Sequence, residues 1–309
     1  MGALLEVVFP VFLVMGFGYV AVKYKFFGSD GVDGLMKFTQ NFAIPCLLFR
    51  AISTLDLEAY LEPSLLVSFY LPAIILFFVG LSSARILFAR PWEDCVAIGF
   101  CILYANTVLL GLPITERAYG ADALSANYAL ISINAPICYF LGITTMEIVR
   151  NRGGSFGVAL RQVLTAIFKN PLVIGVSLGF AVNLLGIAMP GTLTEAVDLM
   201  TRAALPAAIF GLGGVLAQYK IEGDIGPVVL ICVFSLIAHP AMTWGLGRAT
   251  GLDDAAFRSA LLTAATAPGI NGYVFANMYG VAKRVAASAV LVSTALSIIT
   301  VWLWLGVIP

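Results

Sequence analysis

Long apolar segments dominate the sequence. Ten segments of about 20 predominantly apolar residues follow one another, and a helix of about 20 residues crosses the hydrocarbon core of a bilayer. Charged residues are 11% of the chain, whereas a soluble domain has about 25%. The sequence therefore predicts an all-α membrane protein. The predicted segments, numbered in order, are 4–22, 33–54, 64–88, 94–115, 122–148, 171–189, 194–217, 226–248, 255–278 and 284–306.

The basic residues predict an orientation. Of the 17 Lys and Arg residues, twelve lie in or beside the odd-numbered loops and five in or beside the even-numbered ones. Cytoplasmic loops of membrane proteins are enriched in Lys and Arg. We therefore expect the odd loops in the cytoplasm and both termini outside it, in the cell (inner) membrane. The formal net charge is zero, so nothing suggests nucleic acid as a partner.

The two halves of the chain carry matching motifs. Four pairs recur in order, with offsets of 161, 161, 168 and 160 residues: Pro10 with Pro171, Pro45 with Pro206, Pro72 with Pro240, and Gly120 with Gly280. Each half holds five segments, so the second half must enter the membrane from the opposite side. Such an inverted repeat is typical of secondary transporters.

The repeat also predicts the domain organisation. We expect a first repeat over 1–150, a linker over 151–170 and a second repeat over 171–309. Apolar residues recur at helical spacing in the linker, with Arg161 and Lys169 between them. This pattern predicts a helix on the cytoplasmic membrane surface.

Segments four and nine contain residues that break membrane helices. Unpaired backbone groups in lipid cost several kcal/mol each, so a break is tolerated only beside protein or a polar cavity. The free ends of two half-helices carry partial charges. We expect both breaks to meet in a polar substrate site near the midplane of the membrane. Alternatively, the prolines only kink the helices and the asparagines pair with freed backbone groups. The candidate site residues are Asn106, Thr107, Gly111, Pro113, Pro268, Gly269 and Asn271.

Four polar residues outside the two breaks are further candidates. Gln40 and Asn41 precede Pro45 in segment two and are expected to face the substrate or to form a packing network. Asn134 in segment five is expected to line the same site. His239 is the single histidine; it could titrate in proton coupling, or form a hydrogen bond near the kink at Pro240.

The sequence predicts no cofactor, no metal and no enzymatic activity. The five cysteines form no C-x-x-C pair, and one histidine cannot build a histidine cluster. The ATP-binding pattern G-x-x-x-x-G-K-[ST] does not occur. Primary transport driven by ATP within this chain is therefore not expected.

Three stretches resemble the auxin efflux carrier family, which includes plant PIN-type exporters and bacterial malonate permeases. They are NFAIPCLLFRAIS, YANTVLLGLPI and APGINGYVFANMYG, and the likeness extends over essentially the whole chain. The resemblance implies ten helices, with the fourth and ninth crossed. It implies a scaffold of segments one, two, six and seven, and a transport bundle of segments three to five and eight to ten.

The resemblance also implies a function. Family substrates are organic anions, including dicarboxylates and indole acetic acid, and the substrate is expected at the helix crossing. A homodimer is a further expectation. We therefore expect a secondary active transporter of small organic anions that works by alternating access. The alternative is a channel-like or receptor-like membrane protein with the same fold.

Overall fold

The structure is a computed structural model that describes residues 2–150, 156–222 and 224–308. These residues form sixteen α-helices and no β-strand. The first eight are α1 Gly2–Lys23, α2 Ser29–Phe38, α3 Ile44–Ser53, α4 Leu57–Tyr60, α5 Pro63–Phe88, α6 Trp92–Leu103, α7 Leu112–Tyr119 and α8 Ser125–Arg150. The others are α9 Phe156–Phe168, α10 Pro171–Leu184, α11 Gly191–Gln218, α12 Ile225–Val233, α13 His239–Ala249, α14 Asp254–Ala264, α15 Ile270–Tyr279 and α16 Lys283–Leu305.

Among the described residues, six helical segments are long and apolar enough to cross a membrane, as expected for a helical membrane protein. They are Glu6–Lys23, Pro63–Phe88, Ala121–Arg150, Gly191–Gln218, Ile225–Ala249 and Lys283–Leu305. Of the other predicted segments, the sixth forms the 14-residue helix α10. The second segment is interrupted by a π-helix, the ninth by an extended stretch, and the fourth by both.

Each π-helix ends two residues before a proline. The π-helices Thr39–Ala43, Thr107–Gly111 and Phe234–Ala238 precede Pro45, Pro113 and Pro240. Proline lacks an N–H group, and its ring clashes with the carbonyl four residues earlier in a regular α-helix. The wider π-turn relieves this clash and lets the helix continue.

The linker contains a helix, α9, as the sequence predicts; residues 151–155 lie outside the described part. Val163 is buried, while Leu160 and Leu164 are exposed. Arg161 and Lys169 are also exposed. Exposed leucines beside basic residues are typical of a helix at a membrane interface. The location of α9 on the cytoplasmic surface stays a prediction.

Glycines bring two pairs of helices into backbone contact. A Cβ atom at Gly213 of α11 would lie 1.8 Å from the Met15 carbonyl oxygen of α1. A Cβ atom at Gly175 of α10 would lie 2.5 Å from the Pro45 carbonyl oxygen of α3. Small residues permit such close approach between membrane helices. Helices α3 and α11 also contact each other, so α1, α3, α10 and α11 form one unit, the glycine-packed group.

An arginine joins this group to α7. In α1, Pro10 cannot donate the N–H that the Glu6 carbonyl would accept in a regular helix. Arg117 of α7 takes this role: its Nη2 donates to the Glu6 carbonyl oxygen at 3.2 Å. Its Nε donates to the Val7 carbonyl oxygen, also at 3.2 Å. Arg117 therefore pairs with a backbone acceptor that the proline creates.

We predict that Arg117→Ala destabilises the protein by about 1 kcal/mol, since it removes the partner of the Glu6 carbonyl. In a Pro10→Ala background the new N–H of residue 10 supplies that partner, so the same change should cost less. Unfolding in detergent micelles measures all four proteins of this double-mutant cycle. An equal loss in both backgrounds would contradict the role of Pro10.

Candidate functional site

The breaks in predicted segments four and nine meet and pair through their backbones. The Asn106 N–H donates to the Ala267 carbonyl oxygen at 2.9 Å, and the Gly269 N–H donates to the Tyr104 carbonyl oxygen at 2.8 Å. Ala105 and Pro268 between them form an isolated antiparallel bridge. The extended stretch after α6 thus crosses the one before α15, and each satisfies backbone groups that the other helix break exposes.

A cavity of about 300 Å³ lies beside this crossing. Its wall combines residues from both breaks with residues of the π-helix in segment two, of α8 and of the α9–α10 junction. Six of the predicted site residues line it: Gln40, Asn41, Asn106, Thr107, Gly269 and Asn271. The fold thus brings residues from three predicted segments together around one space.

Asn106 holds its local structure with one end of its amide. The Oδ1 atom accepts a hydrogen bond from the Leu109 N–H at 3.1 Å and so caps the start of the π-helix. The Nδ2 atom is buried and has no hydrogen-bond partner, and the residue is only 5% exposed. A buried polar group without a partner costs about 1–3 kcal/mol. Asn106, a residue of the cavity wall, therefore contains a donor that no described group of the protein satisfies.

Asn271 lies in the first turn of α15 and is half-buried. Its Oδ1 accepts a hydrogen bond from the Tyr139 hydroxyl at 3.2 Å, which orients the amide. The first N–H groups of a helix have no acceptor within that helix, and they carry a partial positive charge. Asn271 and the start of α15 therefore add donor groups to the same wall.

Four predicted site residues do not line the cavity. Pro268 forms the bridge at the crossing. Gly111 ends a π-helix, with its N–H bonded to the Asn106 carbonyl oxygen at 3.0 Å, and Pro113 follows at the start of α7. Asn134 lines a narrower space that shares Tyr104 and Thr107 with the cavity. These residues shape or support the crossing instead of facing the cavity.

His239 also lies outside the cavity. It is buried at the start of α13, with its Nε2 atom 3.2 Å from the Phe69 carbonyl oxygen of α5. Its ring packs 5.1 Å from the Phe69 ring. Its hydrogen bond thus links α13 to α5 and does not reach the cavity.

Polar residues of the cavity wall that the sequence analysis did not single out as site residues include Tyr139, Lys169 and Asn170. Nothing in the sequence around Tyr139 marks it as the partner of Asn271. Asn170 caps α10, because its Oδ1 accepts from the Leu172 N–H at 3.0 Å. The basic end of the amphipathic linker was the available signal for Lys169. Its position at the cavity depends on how α9 meets α10.

A second polar network lies near the crossing and is made of residues that do not line the cavity. The Asn127 Nδ2 atom donates to the Thr263 hydroxyl at 2.8 Å and lies 3.3 Å from the Thr115 hydroxyl. All three residues are buried, and they connect α7, α8 and α14. Among the described residues, no group of three or more His, Cys, Asp or Glu side chains could hold a metal ion.

Comparison with known proteins identifies the family of the chain. A family model described as membrane transport protein matches residues 3–305. A putative malonate transporter of Rhizobium meliloti (strain 1021) is 24% identical in an alignment of 309 positions that covers 97% of this chain and 94% of the relative. The uncharacterized transporter YfdV of Escherichia coli (strain K12) is 25% identical in an alignment of 306 positions that covers 96% of this chain and 95% of the relative.

A plant relative extends the comparison. Auxin efflux carrier component 8 of Arabidopsis thaliana is 22% identical in an alignment of 339 positions, gaps included, that covers 91% of each chain. These matches confirm the resemblance to the auxin efflux carriers. The family consists of membrane transporters and not of enzymes. From residue 3 to residue 305, the chain belongs to the membrane transport protein family.

Proposed function

We propose that this protein is a secondary carrier of small organic anions, with its substrate site in the cavity at the crossing. The observation that carries the proposal is the unpartnered Nδ2 donor of Asn106, a residue that lines the cavity. An ionised carboxylate only accepts hydrogen bonds. A bound carboxylate would therefore accept the hydrogen bond that this donor lacks, and the protein would not need to bury a charged side chain to hold it.

The surroundings of the cavity favour an anion over a cation. No Asp or Glu side chain lies among the described lining residues, whereas Lys169 does. The start of α15 contributes a partial positive charge. Ligand pockets of proteins enclose about 300–1,000 Å³, so this cavity fits a small carboxylate. One relative is named a putative malonate transporter and another an auxin efflux carrier, which is consistent with organic anions.

We further propose ten spans in two inverted repeats. Two helix contacts support this arrangement. A Cβ atom at Gly18 would lie 2.0 Å from the Phe210 carbonyl oxygen, and one at Gly179 would lie 3.0 Å from the Phe49 carbonyl oxygen. Gly18 and Gly179 are 161 residues apart, and so are Phe49 and Phe210. Equivalent residues of the two halves thus make equivalent contacts.

The packing suggests which parts move in alternating access. The glycine-packed group belongs to predicted segments one, two, six and seven, and we propose it as the scaffold. The crossing is formed by segments four and nine. These two and the other four segments would move as a bundle against the scaffold. The proposed orientation places both termini outside the cytoplasm in the cell membrane. Proton coupling through His239 and a homodimer remain predictions.

Uptake into proteoliposomes tests the carrier function. We expect accumulation of labelled malonate or another small carboxylate above its external concentration when an ion gradient is imposed. A channel can only equilibrate its solute, and a receptor moves none. Equilibration without accumulation under every imposed gradient would overturn the carrier proposal.

The asparagine pair gives a sharper prediction. Hydrogen bonds to charged groups are worth about 1.5–3 kcal/mol, so Asn106→Ala or Asn271→Ala should weaken carboxylate binding by about 10- to 150-fold. Asn106→Asp should bind still more weakly, because it retains an oxygen to cap Leu109 but sets a like charge against the ligand. Isothermal titration on monodisperse protein measures the affinities.

Asn183 offers a matched control. Its Nδ2 donates to the Ile52 and Leu55 carbonyl oxygens at 2.9 and 2.8 Å, and it does not line the cavity. Asn183→Ala should lower thermal stability and leave the affinity unchanged. Near-normal affinity in both Asn106→Ala and Asn271→Ala would remove these side chains from the site.

A labelling experiment tests the proposed topology. Thr165 and Val307 are both exposed, and the topology places them on opposite sides of the membrane. In a variant without the five native cysteines, Thr165→Cys should react with an impermeant maleimide only from the cytoplasm. Val307→Cys should react only from outside. Labelling of both positions from one side would contradict the inverted arrangement.

A further inference from the structure

Lys169 is the one charged side chain among the described residues that line the cavity. It follows the last residue of α9, and its side chain is exposed. None of the ion pairs between described residues includes it. Within the described part of the chain, no acidic side chain forms an ion pair with this cation or lines the cavity beside it.

The α9–α10 junction fixes the backbone beside Lys169. The Lys169 N–H donates to the Thr165 carbonyl oxygen at 3.1 Å. The next residue, Asn170, caps α10 through the Leu172 N–H, and Pro171 starts that helix. Because α10 belongs to the glycine-packed group, the ammonium is carried on a long side chain from a well-anchored position.

The uncharged donors of the cavity wall include the Asn106 amide, the Asn271 amide and the first turn of α15. Further amides line the cavity, those of Gln40, Asn41 and Asn170. The Lys169 ammonium differs from all of these because it is charged, and it comes from a different part of the fold than the crossing. A ligand with one carboxylate can be satisfied by the uncharged donors alone. A ligand with a second carboxylate also has a partner for that charge.

We infer that Lys169 is a specificity-determining residue that pairs with the second negative charge of a dicarboxylate. This inference rests on the proposed function, because it assumes that the cavity binds organic anions. Lys169 raises the affinity for dicarboxylates and contributes little to the affinity for monocarboxylates of the same shape. The amide group of the site holds the carboxylate that both classes share.

The expected effect follows from Coulomb attraction at an exposed position. Two unit charges 4 Å apart attract by about 1 kcal/mol in water and more near a protein surface, so removal of the ammonium should weaken binding by roughly five- to tenfold. Salt screens such a pair, since the Debye length falls from about 30 Å at about 0.01 M salt to about 3 Å at about 1 M. A purely structural role for Lys169 predicts neither the charge dependence nor the salt dependence.

Binding of two ligand pairs to the full-length protein in detergent tests the inference. Malonate and succinate are each compared with their monomethyl esters, which have nearly the same shape and one charge fewer. Lys169→Met should weaken binding of the diacids by roughly five- to tenfold at low salt and change ester binding by less than about twofold. The difference should vanish at high salt, and Lys169→Arg should bind like the unmodified protein.

Lys220→Met is the matched control. Lys220 is an exposed lysine that the topology places on the same side of the membrane, and it does not line the cavity. Its removal should affect neither ligand class. A similar loss for diacids in Lys220→Met would show a general surface-charge effect and overturn the role of Lys169.

The outcomes separate this inference from the proposed function. If Asn106→Ala weakens all four ligands while Lys169→Met leaves the ratio of diacid to ester affinity unchanged, the inference is wrong and the anion site stands. An equal loss of both classes in Lys169→Met also overturns it. If the unmodified protein binds none of the four carboxylates, the proposed function fails, and the inference fails with it.

Discussion

Two backbone hydrogen bonds at the crossing underlie the rest of the site. Asn106 donates to Ala267, and Gly269 donates to Tyr104. In an apolar surrounding each unpaired backbone group would cost several kcal/mol, so neither extended stretch could exist there alone. Together they make an antiparallel pair of minimal length. Asn106, Asn271 and the start of α15 line the cavity beside this pair.

The side-chain contacts bear on the two interpretations of the asparagines, as substrate ligands or as partners of freed backbone groups. If their side chains only mended the breaks, both ends of the Asn106 amide would be bonded to backbone. Instead the Oδ1 atom caps Leu109 and the Nδ2 atom is left without a partner. The Asn106 oxygen therefore holds the local backbone, and its NH₂ group has no partner. The Asn271 amide is similar in that its oxygen is the atom that accepts a hydrogen bond, from the Tyr139 hydroxyl.

Much of this arrangement was predictable from residue types. Proline, glycine and asparagine inside apolar segments indicated both breaks. Gln40 and Asn41 were predicted as site residues because they are polar and precede a proline inside an apolar segment. The sequence could not indicate how the breaks pair, because the choice of donor and acceptor depends on the approach of residues far apart in the chain. It also missed Tyr139 in favour of Asn134. These residues lie about 140° apart around α8, so the rotation of one helix decides which of them reaches the cavity.

The bond between Arg117 and the Glu6 carbonyl has a consequence for motion. It joins α1 of the glycine-packed group to α7, which follows the crossing. In the proposed alternating access, movement of α1 relative to α7 would break this contact and expose the carbonyl to water. The bond is exposed and lies near the start of α1, so water can replace the guanidinium at a cost of about 1 kcal/mol. Pro10 would thus create an acceptor that weakly favours one relative position of the two units and that water satisfies in the other.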